Sequence, residues 1–173
     1  MKRKLISLVS ALIAAILITS TVFAGAIKFS GATTFRLGSL IAEGALSGLG
    51  NQNVQVFLEA SGLPDVTCTN QGGTQAPGQN PPKVSASGDQ LLFGFDLTRK
   101  NGKSPFDVET EEPLVLDAVL LGCPNANWTA TIDFVYWTEA TLTVKSFPGG
   151  AVLLTREFTC TTTLNSVTCT PVN

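Results

Sequence analysis

Residues 128–144, WTATIDFVYWTEATLTV, alternate with a period of two over the whole stretch. The even positions read Trp128, Ala130, Ile132, Phe134, Tyr136, Thr138, Ala140, Leu142 and Val144. The odd ones are mostly polar: Thr129, Thr131, Asp133, Glu139, Thr141 and Thr143, with Val135 and Trp137 between them. A period of two puts successive side chains on opposite faces of an extended strand, one towards a core and one towards water. The stretch outruns an ordinary strand, so a bend is expected near Thr138 and Glu139. Beyond it, FPGG at 147–150 reads as a turn, and AVLLTREFTC as a strand with Val152, Leu154 and Phe158 on one side.

Earlier segments carry the same signature. NVQVFLEA sets Val54, Val56 and Leu58 against Gln55, Phe57 and Glu59, while VTCT, DQLLFGFDLT and FDVETEE are short, apolar or β-branched runs between Gly, Pro and Asn clusters. FRLGSLIAEGALSGLG could place Leu37, Leu40 and Ile41 on a helix face. Gly38, Gly44 and Gly48 would each cost such a helix about 1 kcal/mol, so strand with glycine bends is the reading. Seven to ten short strands with regular turn signals predict an all-β fold: an antiparallel β-sandwich, Ig-like or jelly-roll-like, with a small β-barrel as the alternative.

The N-terminus constrains location. Lys2, Arg3 and Lys4 precede an apolar run from Leu5 to Ile18, and Val22, Ala24 and Ala26 supply small residues for a cleavage site. This is the layout of a secretory signal peptide over 1–26; a retained anchor is the alternative, because no charge lies between Lys4 and Lys28. With the leader removed, no membrane span remains. Residues 27–173 then form one domain, and two ordinary domains would need a longer chain. That mature chain has eight basic and 13 acidic residues, a net charge of −5. Nucleic acid is excluded as a partner, since it demands a basic footprint.

Cys68, Cys123, Cys160 and Cys169 are an even set in an exported chain, which reads as two disulfides with three connectivities open. Cys160 and Cys169 flank TTTLNSVT, a spacing suited to a hairpin whose strands face each other. No CxxC spacing suggests a metal.

Residues 67–85, TCTNQGGTQAPGQNPPKVS, hold no charge before Lys83 and are rich in Gly, Pro, Asn and Gln. Too little chain precedes them to form a separate core, so an ordered Ω-like surface loop is expected rather than a linker. Pro77, Pro81 and Pro82 stiffen it, and Gly72, Gly73 and Gly78 allow it to turn. The loop either serves binding or covers an open end of the sandwich. VTCTNQGGTQAPGQNPPKVSASG, together with GCPNANWTATI, resembles a group of small exported bacterial proteins. The resemblance covers about a fifth of the chain and brings no activity, cofactor or partner. It implies that Cys68 pairs with Cys123, because the motifs carrying them occur as a set.

Catalysis is not expected. The chain contains no histidine, which removes the commonest general base and any Ser-His-Asp triad, and it has no Gly-x-Ser-x-Gly elbow. NGKS at 101–104 lacks the upstream glycine of a phosphate loop, Leu97 standing there, and reads as a hairpin turn. No cofactor is implied. The acidic run Asp107, Glu109, Glu111 is a candidate calcium ligand set, although charges along an exposed strand also discourage edge pairing. NWT at 127–129 matches a glycosylation acceptor but is read as incidental beside the bacterial-looking leader.

Trp137 falls on the polar parity of its strand, so it is a candidate exposed ring for a sugar or a partner protein, unless the long loop buries it. Trp128 and Tyr136 fall on the apolar parity and are expected in the core. Two function classes follow. One is a non-catalytic extracellular interaction or envelope-matrix module whose 70–83 loop meets a protein partner. The other is a carbohydrate-binding domain that uses Trp137 with Gln71, Gln75, Gln79 and Asn80.

Overall fold

The computed structural model describes residues 26–94, 102–114 and 117–172. The expected signal peptide therefore lies, but for Ala26, outside the described residues. Among these residues there are ten strands: β1 (Lys28–Phe29), β2 (Thr34–Arg36), β3 (Ile41–Ser47), β4 (Val54–Thr69), β5 (Gln75–Pro77), β6 (Val84–Leu92), β7 (Lys103–Glu109), β8 (Thr129–Ser146), β9 (Val152–Thr163) and β10 (Ser166–Pro171). No described helix is long and apolar enough to cross a membrane.

Every pairing is antiparallel. In the smaller sheet, β3 lies between β7 on one side and β1 and β2 on the other. The larger runs β10-β9-β8-β4, with β5 and β6 sharing the far edge of β4. The two sheets pack as a β-sandwich and do not close into a barrel. Alternate residues of each sheet feed one core: Leu40, Ala42, Leu46, Phe106 and Val108 from the smaller sheet and its entry, and Val54, Val56, Leu58, Leu142 and Val144 from the larger. Each large aliphatic side chain buried here contributes about 1.5–3 kcal/mol.

Both flanks of the sandwich are laced together. On one flank, Glu111 N–H donates to the Ser87 carbonyl at 2.9 Å, and Asp107 N–H to Gln90 Oε1 at 2.9 Å, joining β7 to β6. Gly88 permits this: a Cβ there would lie 1.8 Å from the Glu109 carbonyl oxygen. On the other flank, Phe35 meets Phe158 edge-to-face at 5.0 Å, and the Arg156 guanidinium lies 4.6 Å from the Phe29 ring.

Besides Val152, expected on the side of Leu154 and Phe158 but set opposite Lys145 past a slip in the β8–β9 register and 61% exposed, two features of the strands differ from the sequence reading. NVQVFLEA and VTCT are not separate strands but the two ends of β4, which runs straight through Ser61-Gly62-Leu63-Pro64. Pro64 has no N–H to give, and it falls in the interval after β6 ends opposite Gly62 and before β5 begins opposite Thr67. The second feature is in β8. Its register against β4 slips twice: Glu139 faces Ser61 but Trp137 faces Gly62, and Phe134 faces Asp65 but Ile132 faces Val66. Thr138 and Asp133 are thus the extra residues of two β-bulges, the first of them at the expected bend.

The two bulges reverse parity for one short stretch and then restore it. Ala130 and Ile132 face inward, as do Ala140, Leu142 and Val144. Between them the odd residues Val135 and Trp137 are the buried ones. Trp137, the candidate exposed ring, is 1% exposed, enclosed on the inner face of the strand. Tyr136, expected in the core, stands half-buried on the outer face opposite Leu63, while Trp128 packs half-buried against the core.

Candidate functional site

The loop after β4 is built from its own backbone. Asn70 Oδ1 accepts from the N–H groups of Gly72 (2.9 Å) and Thr74 (2.8 Å), and Asn70 N–H donates to the Thr74 carbonyl at 3.0 Å. This side-chain turn reverses the chain, and β5 then pairs with Thr67–Thr69. Past β5, Gly78 N–H donates to the Val66 carbonyl at 2.8 Å and Gln79 N–H to the Gly122 carbonyl at 2.9 Å. Gly122, at φ +85°, lets the two backbones meet: a Cβ on it would sit 2.2 Å from the Gln79 carbonyl oxygen.

The Cys68–Cys123 disulfide fastens the same junction from below, and Leu121 beside it is fully buried. Cys160 and Cys169 face each other across β9 and β10 and form the second disulfide. No cysteine is left free among the described residues. Two disulfides are characteristic of an oxidising compartment. The side chains of Gln71, Gln75, Gln79 and Asn80 are all exposed, with Asn80 in the left-handed region at φ 49°.

Trp137 does not join them. Its indole is on the inner face of β8, opposite Gly62, and its buried Nε1 has no hydrogen-bond partner. The sequence signal that misplaced it was the unbroken alternation, which holds only while a strand pairs without a bulge. The two bulges bring out a different set of rings. On the outer face Phe134 and Tyr136 meet edge-to-face at 5.0 Å, opposite Asp65 and Leu63, and Leu63 is 48% exposed. Beside them Thr67 Oγ1 donates to Asp133 Oδ2 at 2.5 Å.

The acidic run does not assemble into a calcium site. Asp107 and Glu109 are on the outer face of β7, where Arg36 forms ion pairs with Glu43 and, at 3.4 Å, with Asp107. Glu111 lies past the end of the strand, turned towards β6 by its bond to Ser87. Among the described residues no three of His, Cys, Asp or Glu come together as metal ligands.

Two cavities open on the sandwich. One, of about 540 Å³, is lined by the small residues Ala86, Ala60 and Ala140, which stand in one row across β6, β4 and β8, and by Glu111, Glu112 and Leu114. The other, of about 380 Å³, is lined by Ile132, Val135, Trp137, Gly38, Glu112 and Pro113. No family model matches this chain, and neither the curated proteins nor the solved structures give a match.

Proposed function

We propose that this chain is an exported, non-catalytic β-sandwich module that attaches to an extracellular or envelope partner through the end carrying residues 70–83. The observation that carries this reading is the fixing of that loop at both ends. Its backbone is tied by β5, by the Gly78–Val66 and Gln79–Gly122 hydrogen bonds, and by the nearby Cys68–Cys123 disulfide, while Gln71, Gln75, Gln79 and Asn80 stand exposed. A loop already ordered binds with a smaller entropic cost. Export is supported by the basic head, apolar run and small-residue site of 1–26, by the two disulfides, and by the resemblance to exported bacterial proteins.

The test is to replace residues 71–82 with a Gly/Ser linker of equal length. Loop closure changes stability only slowly with length, and the length is kept, so the sandwich should stay folded, while capture of the partner from the native culture surface should be lost. Capture that survives the replacement would overturn the reading.

A second reading, carbohydrate binding, is favoured by Gln71, Gln75, Gln79 and Asn80 standing exposed on a pre-formed loop, a donor and acceptor set suited to sugar hydroxyls. It has to proceed without Trp137, whose ring is enclosed.

A further inference from the structure

We propose that the outer face of β4, β5 and β8 is a platform for a linear, uncharged glycan, laid along the strands from Tyr136 to Gln75. The proposal rests on the carbohydrate-binding reading and gives it an aromatic surface that Trp137 does not supply.

The registers define the platform. Tyr136 stands opposite Leu63 and Phe134 opposite Asp65; Thr131 then faces Thr67, and Thr69 faces both Thr129 on β8 and Gln75 on β5. In a β-sheet, residues paired across strands share a face, so all of these side chains emerge on one side. Six residues of β4 separate the Leu63 row from the Thr69 row, which at the usual rise is about 20 Å, room for several sugar units in line. The rings occupy one end. The other end leads without a break to Gln75 on the pinned loop.

The chemistry of the face selects the occupant. A pyranose offers C–H groups to an aromatic ring and O–H donors around its edge. Phe134 and Tyr136 provide the rings, and the Asp65 and Asp133 carboxylates with the Thr67 hydroxyl lie directly beside them. A protein interface would concentrate its apolar groups and deplete charge at the centre. Here two carboxylates adjoin only three apolar side chains. The same carboxylates repel an anionic polymer, and in the row beyond Leu63 the Lys83 ammonium is already engaged by Glu139 at 3.0 Å. The partner that satisfies rings, acceptors and negative potential together is a neutral glycan chain.

The bulges explain why this face exists. Without Thr138 and Asp133 as extra residues, Val135 and Trp137 would stand outside, and Phe134 and Tyr136 would be in the core. Bulges commonly re-aim side chains beside functional surfaces.

Isothermal titration of the mature protein with cello-, xylo-, manno- and chito-hexaose, with an oligogalacturonate as the anionic control, tests the proposal. At least one neutral series should bind. Phe134→Ala/Tyr136→Ala should weaken that binding at least tenfold, and Asp65→Asn several-fold, with the melting temperature of each variant read alongside. If the double variant does not fold, Tyr136→Leu carries the same test, since it keeps apolar bulk and removes the ring. Undiminished binding in these variants overturns the platform and leaves the carbohydrate-binding reading standing. Absence of binding to every neutral hexaose, or binding to oligogalacturonate alone, overturns both.

Discussion

Gly62 and Trp137 face each other across β4 and β8 so closely that a methyl group on Gly62 would lie 2.8 Å from the Trp137 Cα and 2.5 Å from the Tyr136 carbonyl oxygen. The contact sits beside the bulge at Thr138, whose Oγ1 donates to the Ser61 carbonyl at 3.3 Å. Next to it, the Trp137 carbonyl accepts from Thr162 Oγ1 at 2.8 Å. The turned stretch of β8 is therefore held from both neighbouring strands, β4 and β9.

Gly62→Ala should destabilise the domain by about 2–3 kcal/mol, the cost of overpacking against backbone that cannot move aside. Gly72→Ala is the control, because its added carbon would meet only Asn70 Oδ1 at 3.4 Å, an ordinary contact. Urea unfolding of the two variants should separate them clearly. Equal midpoints would mean that the Ser61–Gly62 junction is looser than described.

Trp137 and Trp128 are the only two tryptophans, so emission can be assigned by removing one. In Trp128→Phe, the remaining Trp137 should emit with a blue-shifted maximum and resist quenching by iodide, as its 1% exposure requires. Trp137→Ala should cost about 3–5 kcal/mol. A red-shifted, readily quenched Trp137 would return the ring to the surface and contradict the double bulge.

The two disulfides should differ in their effect on unfolding. In the loop-entropy account, the Cys68–Cys123 bridge, at a sequence separation of 55, contributes about 4 kcal/mol, and Cys160–Cys169, at a separation of 9, about 2.5 kcal/mol. Paired Cys→Ser variants compared by urea denaturation measure the order, and non-reducing peptide mapping checks the pairing itself. A Cys68–Cys160 or Cys68–Cys169 peptide would contradict it.

The Glu139 carboxylate is held below its ordinary value of 4.5, first by the hydrogen bond from Lys83, then by that from Ser61, then by the Lys83 charge. A folded-state value below the unfolded one means that the associated stabilisation is complete above the ordinary carboxylate range. It is lost as pH falls through the depressed value. The group is exposed, so the effect on stability is small. Carbon-13 titration should find Glu139 below 4.5, and Lys83→Met should move it up towards that value. An unchanged titration in the variant would show that the ion pair does not hold in solution.

How much of this was legible in the sequence follows from the range of the forces involved. Alternation, turn residues and cysteine spacing are local. They were enough for an all-β sandwich, for the strand containing Val54, Val56 and Leu58, for the Cys160–Cys169 hairpin and for a bend at Thr138. They also marked the Asn, Gly and Pro composition from which the 70–83 turn is made.

Other features depend on a partner strand or segment that the local sequence does not display. SGLP carries the residues of a break, yet β4 continues through it, because β8 pairs it on one side and Pro64 falls where no neighbour on the other side requires its N–H. Gly122 gives no sign in sequence that Gln79 will pack upon it. Above all, the face on which Trp137, Tyr136 and Phe134 emerge was set by two one-residue slips between β8 and β4. Each slip inverts every side chain beyond it, and only the pairing of strands 60 or more residues apart fixes where a slip occurs.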